Sequence, residues 1–485
     1  MEEKKGMSDY IKYAIVLLFM FGFRYIPPIA PMTPYGMGVL GVLIGAILGW
    51  SFDSKQMLGS SLIALVALGM NGYPGGIYGM YSQVMASDSL MMMCLGMIMV
   101  GALVDAKMDT WIIAKVMNMK FVQGKPWLTT FLLVFTPAIV GTNLIMNTPL
   151  MLFILPVYIN LFQGAGYKAG DKYVINVFIG SIIAAICSMY ILPFKGIALA
   201  FGTMVKAYTG GIWTYAEFMM TMSITCLAIP AFYTLFMRFI LRCDASKVAN
   251  LDLSLFGDPN APVDNHQKGV LACIIAYIVG STIISFGGMM QNAVGAFLNL
   301  ISVYGWMLIT VGSMSIIKID GKRLLNLPVA SAKGFSWDLI LMVASATLIG
   351  GALTTAESGF GALLVGLVGP LVNKMGAMGV TLFIFALMLF ATNFCNNMAI
   401  MMIGFTLLGS LIAGGFALNG PMLAAGIMLF SQIGILLPAS SLWGAMLHSL
   451  DMTTTSAIYK YAALALIYCL VVGCAVYIPL SALVY

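Results

Sequence analysis

The side chains best placed to do chemistry in this chain are amides and hydroxyls set inside apolar runs. Thr142-Asn143-Leu144-Ile145-Met146-Asn147 interrupts the run 127–162, and Thr392-Asn393-Phe394-Cys395-Asn396-Asn397 interrupts the run 375–418. Both read T-N-x-x-x-N, and they lie 250 positions apart. An amide that faces hydrocarbon without partners costs on the order of 2–7 kcal/mol, so each stretch needs partners or a ligand. Amide and backbone carbonyl oxygens are hard donors that suit a cation such as Na+. Thr142, Asn143, Asn147, Thr392, Asn393 and Asn397 are therefore candidate ion ligands. The helices that begin after Asn147 and Asn397 would aim positive N-termini at the same place, which suits an anion. Asn residues can also simply join helices to one another; a repeated pair is less readily explained that way than a single stretch.

Such groups are held at membrane depth by unwound backbone, which is tolerated only where it is buried in protein or lines a wet cavity. Pro149 follows the first stretch closely, and each stretch reads as the tip of a re-entrant helical hairpin, 127–162 and 375–418. The same offset pairs Gly101-Ala102-Leu103 with Gly351-Ala352-Leu353, Asp88 with Asp338, Leu132 with Leu382 and Phe135 with Phe385. This is the mark of an internal repeat, and in membrane chains such repeats meet at a site near the bilayer midplane. Two more interruptions fit the plan. Ile191-Leu192-Pro193-Phe194-Lys195-Gly196 breaks the fifth span, 173–205, and Leu437-Pro438-Ala439-Ser440-Ser441-Leu442-Trp443-Gly444 breaks the tenth span, 421–447. Pro removes a helix hydrogen bond and Gly loosens the turn, so both are expected to be discontinuous helices.

Composition sets the class. Hydrophobic residues are 61% of the 485, charged residues 8%, and the mean hydropathy is +1.00. No soluble domain has this composition, and the short alternating segments of a transmembrane barrel are missing. The expectation is an all-α polytopic membrane protein of about 11 spans in two inverted repeats, each with a re-entrant helical hairpin and a broken helix. Residues 1–34 hold an N-terminal span, 35–241 the first repeat, 242–268 a polar cytoplasmic linker and 269–485 the second repeat. The loop 71–87 carries no Lys or Arg, whereas 107–125 carries four Lys around Trp111-Ile112-Ile113 and reads as a helix on the membrane surface. With the N-terminus in the cytoplasm, most basic residues fall inside; Arg24, Lys195, Lys206 and Lys374 fall outside or within the membrane. That places the chain in the cell (inner) membrane with its C-terminus outside. The net charge of +6 gives no sign of a nucleic-acid partner, and the eight Cys form no C-x-x-C pair and read as packers.

This plan resembles the divalent-anion/sodium symporter (DASS) family of the ion-transporter superfamily, whose members carry an S-N-T motif at each hairpin tip. Met146-Asn147-Thr148, with Pro156 following in Ile154-Leu155-Pro156, is similar to the first copy, and Asn396-Asn397-Met398 to the second. Asn147, Thr148 and Asn397 agree with the motif; Met146, Asn396 and Met398 depart from it. The turn Pro438-Ala439-Ser440-Ser441 stands where the family has a T-P-P-N-like turn, and the break at Pro193 matches in position. The resemblance implies that Asn147, Thr148, Asn396 and Asn397 contact a carboxylate substrate. It also implies Na+ sites at the hairpin tips and helix breaks, which Pro193 and Ala439 would join. A homodimer and an elevator motion are implied as well.

Ser440 and Ser441 can offer hydroxyls to substrate or carbonyl oxygens to an ion, or back-bond within a helix. Lys195, in the fifth-span break, is either a counter-charge to an anionic substrate or a snorkelling group beside Lys206. His448 is placed at the inner membrane face rather than in a proton relay, and Asp88, Asp338 and Glu357 are placed at span ends or in the arm 357–374 that follows the span 337–353, as solvated or capping groups. The expected function is Na+-coupled symport of a small anion such as a di- or tricarboxylate, with Na+ as coupling ion and no other cofactor. The alternative is a cation/proton antiporter, but proton antiport wants a midplane carboxylate, and neither hairpin nor break contains Asp or Glu. An enzyme is not expected: there is no H-E-x-x-H or G-x-S-x-G, and there are only two His.

Overall fold

In lipid every backbone polar group must be satisfied within the protein, so apolar runs of this length fold as helices. The structure, a computed structural model, describes residues 7–52, 57–85, 88–117, 124–142, 148–194, 196–209, 212–250, 258, 260–287, 290–394, 397–438 and 441–485. Among these, seven helices are long and apolar enough to cross a membrane: Lys172–Tyr190, Tyr215–Ile240, Asn265–Gly287, Ala293–Ile316, Trp337–Thr354, Phe360–Ala391 and Thr455–Val484. Shorter apolar helices stand between them, including Pro34–Trp50, Met57–Met70, Pro126–Gly141, Asn397–Ala413 and Gly420–Phe430. The chain is an all-α polytopic membrane protein. Among the described residues its β-structure is one antiparallel pair, Lys318–Ile319 with Lys322–Arg323. The turn between them has positive φ at both Asp320 and Gly321, as a tight Asp-Gly hairpin turn requires.

The core lies around Lys172–Tyr190, whose most apolar window is wholly buried inside the protein. Lipid never reaches this helix, so its polar residues need internal partners. Asn176 Nδ2 donates to Lys172 O at 2.8 Å, Ser181 Oγ to Val177 O at 2.8 Å, and Ser188 Oγ to Ala185 O at 2.8 Å. Pro126–Gly141, Ile224–Leu235 and Thr455–Val484 pack around it. Inside Pro126–Gly141, Pro137 has no N–H for the Leu133 carbonyl one turn back. One side chain from outside that helix replaces it: Tyr158 Oη donates to Leu133 O at 2.5 Å, while Ser181 Oγ, whose proton goes to Val177 O, stands 3.2 Å from the same carbonyl.

The element order repeats along the chain. Asp88–Asp105 and Trp337–Thr354 begin within one residue of the 250-residue offset, as do Thr148–Gly164 and Asn397–Ala413. The two halves interlock through backbone-close contacts. A Cβ on Gly101 would lie 1.9 Å from the Ala330 carbonyl, which only Gly allows. The halves also exchange pieces of their discontinuous helices. Gly196–Thr209, which follows the fifth-span break, packs on Gly420–Phe430 and Asn397–Ala413, while Leu442–His448 packs on Lys172–Cys187.

Several elements differ from the sequence reading. The loop 71–87 contains a helix, Gly76–Met85, because its Gly72, Gly75 and Gly76 supply the positive φ for a turn and leave the remainder free to wind. Ala293–Ile316 is interrupted at Ser302 (φ 55, ψ 163), whose Oγ then accepts the Gly305 N–H and caps the second piece. Phe360–Ala391, at 32 residues, is divided by Gly376 (φ 65, ψ 168). Its second piece, at about 1.5 Å per residue, falls short of the roughly 30 Å hydrocarbon core. The tenth-span break opens at Ser431, where helix Gly420–Phe430 stops, and not at Leu437.

Candidate functional site

The second T-N-x-x-x-N stretch turns the chain between two helices. Phe360–Ala391 ends in tight bonds, Asn393 N–H to Phe390 O and Phe394 N–H to Ala391 O, and Asn397 opens the next helix. The turn leaves Thr392, Asn393 and Asn397 at 0%, 1% and 8% exposure. All three face the unwound segment 431–436. Asn393 Nδ2 donates to Leu389 O at 2.7 Å and to Ile433 O at 3.2 Å, and its Oδ1 accepts the Ile435 and Leu436 N–H groups, both at 2.9 Å. Asn397 Nδ2 donates to Gln432 O at 3.0 Å. A carbonyl only accepts, so this fixes which end of the Asn397 amide faces Gln432. Thr392 Oγ1 lies 2.7 Å from Asn397 Oδ1 and also within hydrogen-bond reach of Ser431 O. From the far side Ser441 Oγ donates to Gly434 O, and His448 Nε2 lies 3.0 Å from Leu436 O.

The unwound carbonyls of Gln432, Ile433, Gly434 and Leu436 are thus each met by a side-chain donor, and that of Ser431 by the Thr392 hydroxyl, which it shares with Asn397 Oδ1. This is how a helix can open inside a membrane without stranding its backbone. Gly434 is required at the centre: a Cβ there would lie 2.6 Å from Asn397 Oδ1 and 3.1 Å from Thr392 O. One feature is left over. The Thr392 hydroxyl has a single proton for two acceptors, Asn397 Oδ1 and Ser431 O. Among the described residues, three oxygens therefore converge with one proton among them, and their remaining lone pairs are open to a cation. The donors are neutral hydroxyl, amide and carbonyl oxygens, which fit a hard monovalent ion; divalent sites are normally built with carboxylates.

The structure places the remaining candidate residues as follows. Thr142 turns its hydroxyl back to Ala138 O at 2.6 Å, unlike its counterpart Thr392. Pro193 is buried in the fifth-span break, and the neighbouring Phe194 carbonyl accepts from Tyr277 Oη at 3.2 Å. Thr148 begins the helix Thr148–Gly164. Asn143, Asn147, Lys195, Asn396, Ala439 and Ser440 lie outside the described residues. Thr392, Asn393, Asn397 and Ser441 are brought together. Ser431, Gln432, Gly434 and the link to His448 were missed by the reading of motifs. The pair Ser431-Gln432 followed by Gly434, polar and loose inside an apolar run, was the available signal.

No family model and no curated protein matches this chain. Among solved structures it is similar to the crystal structure of the Alcanivorax borkumensis YdaH transporter, at 12% identity and a TM-score of 0.49, over 81% of this chain and 86% of that one.

Proposed function

We propose that this chain is a secondary active transporter that carries a small anion of the di- or tricarboxylate class together with Na+. The observation that carries the proposal is the oxygen cluster of Thr392, Asn397 and Ser431, with one proton between two acceptors, in an unwound and buried segment of a membrane helix. Na+ bound there supplies the missing positive charge. The Asn397 Nδ2 has a second N–H, which is how it would reach a substrate carboxylate beside the ion, while Oδ1 faces the ion. Asn147, Thr148, Asn396, Ser440 and Lys195 are the proposed companions on the substrate side. Asn143, Thr142, Pro193 and Ala439 are the proposed partners in ion binding. The lack of Asp and Glu in both hairpins and both breaks favours Na+ over a proton as coupling ion. The hairpin tip and the opened helix move together, held by the hydrogen bonds above, in an elevator-type motion of each protomer of a homodimer.

Uptake into proteoliposomes with a panel of carboxylates and inorganic anions, with and without Na+, tests this. Carboxylate uptake that needs an inward Na+ gradient and survives a protonophore is expected. Uptake that runs equally well in choline and collapses with the protonophore would reject it.

A further inference from the structure

The short helix Leu442–His448 is tied to the unwound segment at both ends. At its start Ser441 accepts the Gly444 N–H at 3.1 Å and gives its own proton to the Gly434 carbonyl. At its end His448 Nε2 lies 3.0 Å from the Leu436 carbonyl oxygen. Since a carbonyl has no proton to give, Nε2 carries the proton in this contact, in the neutral ring as in the cation. The N–H of the same Leu436 donates to Asn393 Oδ1 at 2.9 Å. Leu436 is thus clamped on its N–H side by a hairpin-tip amide and on its C=O side by His448. Asn393 passes the restraint on to the Ile433 carbonyl, 3.2 Å from its Nδ2.

We propose that His448 is a positioning residue for the cation: by fixing Leu436 it holds Asn393 and the Ile433 carbonyl, and so the opened backbone that carries the Ser431 carbonyl two residues earlier, at the angle the ion needs. The assignment rests on the sodium-coupled reading above and adds a residue that neither hairpin stretch contains. The imidazole also packs on the Tyr459 ring, with centroids 5.5 Å apart, so packing has to be separated from donation. Three substitutions do this. Phe keeps a ring without the proton, Gln carries an amide N–H close to the Nε2 position, and Asn carries one that falls short.

The experiment is binding of radioactive Na+ to the purified full-length chain in detergent, with melting temperature measured beside it. His448→Phe is expected to weaken Na+ binding about 2- to 12-fold, the equivalent of one hydrogen bond. His448→Gln is expected to stay within about twofold of the unsubstituted chain, and His448→Asn to follow Phe. A role in folding alone would lower the melting temperature of the variants and leave Na+ affinity unmoved, which would overturn the proposal. So would a Gln variant as weak as Phe. Should His448→Phe not fold, the Gln and Asn variants give the same comparison. A failure of the unsubstituted chain to bind Na+ at all is a different result: it would defeat the sodium-coupled reading itself, and this assignment with it.

Discussion

Replacing Gly434 by Ala adds one methyl group at the point where the hairpin tip meets the opened helix. Gly434 does not need positive φ, so the substitution brings no backbone strain and its effect is purely one of space. The new Cβ would sit 2.6 Å from Asn397 Oδ1, about 0.8 Å inside an ordinary contact. Asn397 must withdraw, and its two hydrogen bonds, from Thr392 Oγ1 at 2.7 Å and to Gln432 O at 3.0 Å, go with it. At about 0.5–1.5 kcal/mol each, the loss is about 1–3 kcal/mol. If the ion binds only the assembled cluster, that lowers Na+ affinity about 5- to 150-fold. The assay is Na+ binding in detergent by isotope, repeated on Gly351→Ala, where a Cβ meets nothing within 4 Å. Wild-type Na+ affinity in Gly434→Ala would refute the reasoning, because no arrangement of the cluster described above accommodates that methyl group unchanged.

Two further outcomes follow from the packing. Gly350→Ala places a Cβ 1.7 Å from the Tyr208 ring, which must leave and give up its bond to Ala346 O; a destabilisation of about 1–3 kcal/mol is expected, against a neutral or slightly stabilising Gly351→Ala. Thermal melting of the two adjacent variants checks this, and equal melting temperatures would contradict it. Tyr158→Phe and Ser181→Ala are each expected to cost about 1 kcal/mol, and the double variant more than their sum, since only then does the Leu133 carbonyl beside Pro137 lose both hydroxyls within its reach. Strict additivity in a double-mutant cycle would show that the two hydroxyls do not share that carbonyl.

The class of the protein was decided by its sequence alone, because whether a segment leaves water for lipid depends on its own side chains. Among the described residues, seven long apolar helices and the shorter ones between them stand where the apolar runs are. The discontinuity at Pro193 was legible for a similar reason, since a proline acts on the backbone of its own turn. The repeated T-N-x-x-x-N stretches were legible as polar groups that could not be left without partners. What those partners are was decided only by the tertiary structure. Asn393 and Asn397 find theirs roughly forty residues further along the chain, in carbonyls and N–H groups that every residue type carries and that no motif can mark. The tenth helix opens at Ser431, ahead of its proline, because side chains from the hairpin and from Leu442–His448 satisfy the carbonyls that unwinding releases. His448 likewise takes its place from a carbonyl twelve positions away. Local chemistry named the groups that needed company; only the packing of distant segments could supply it, since a hydrogen bond to the main chain is specified by position and not by residue type.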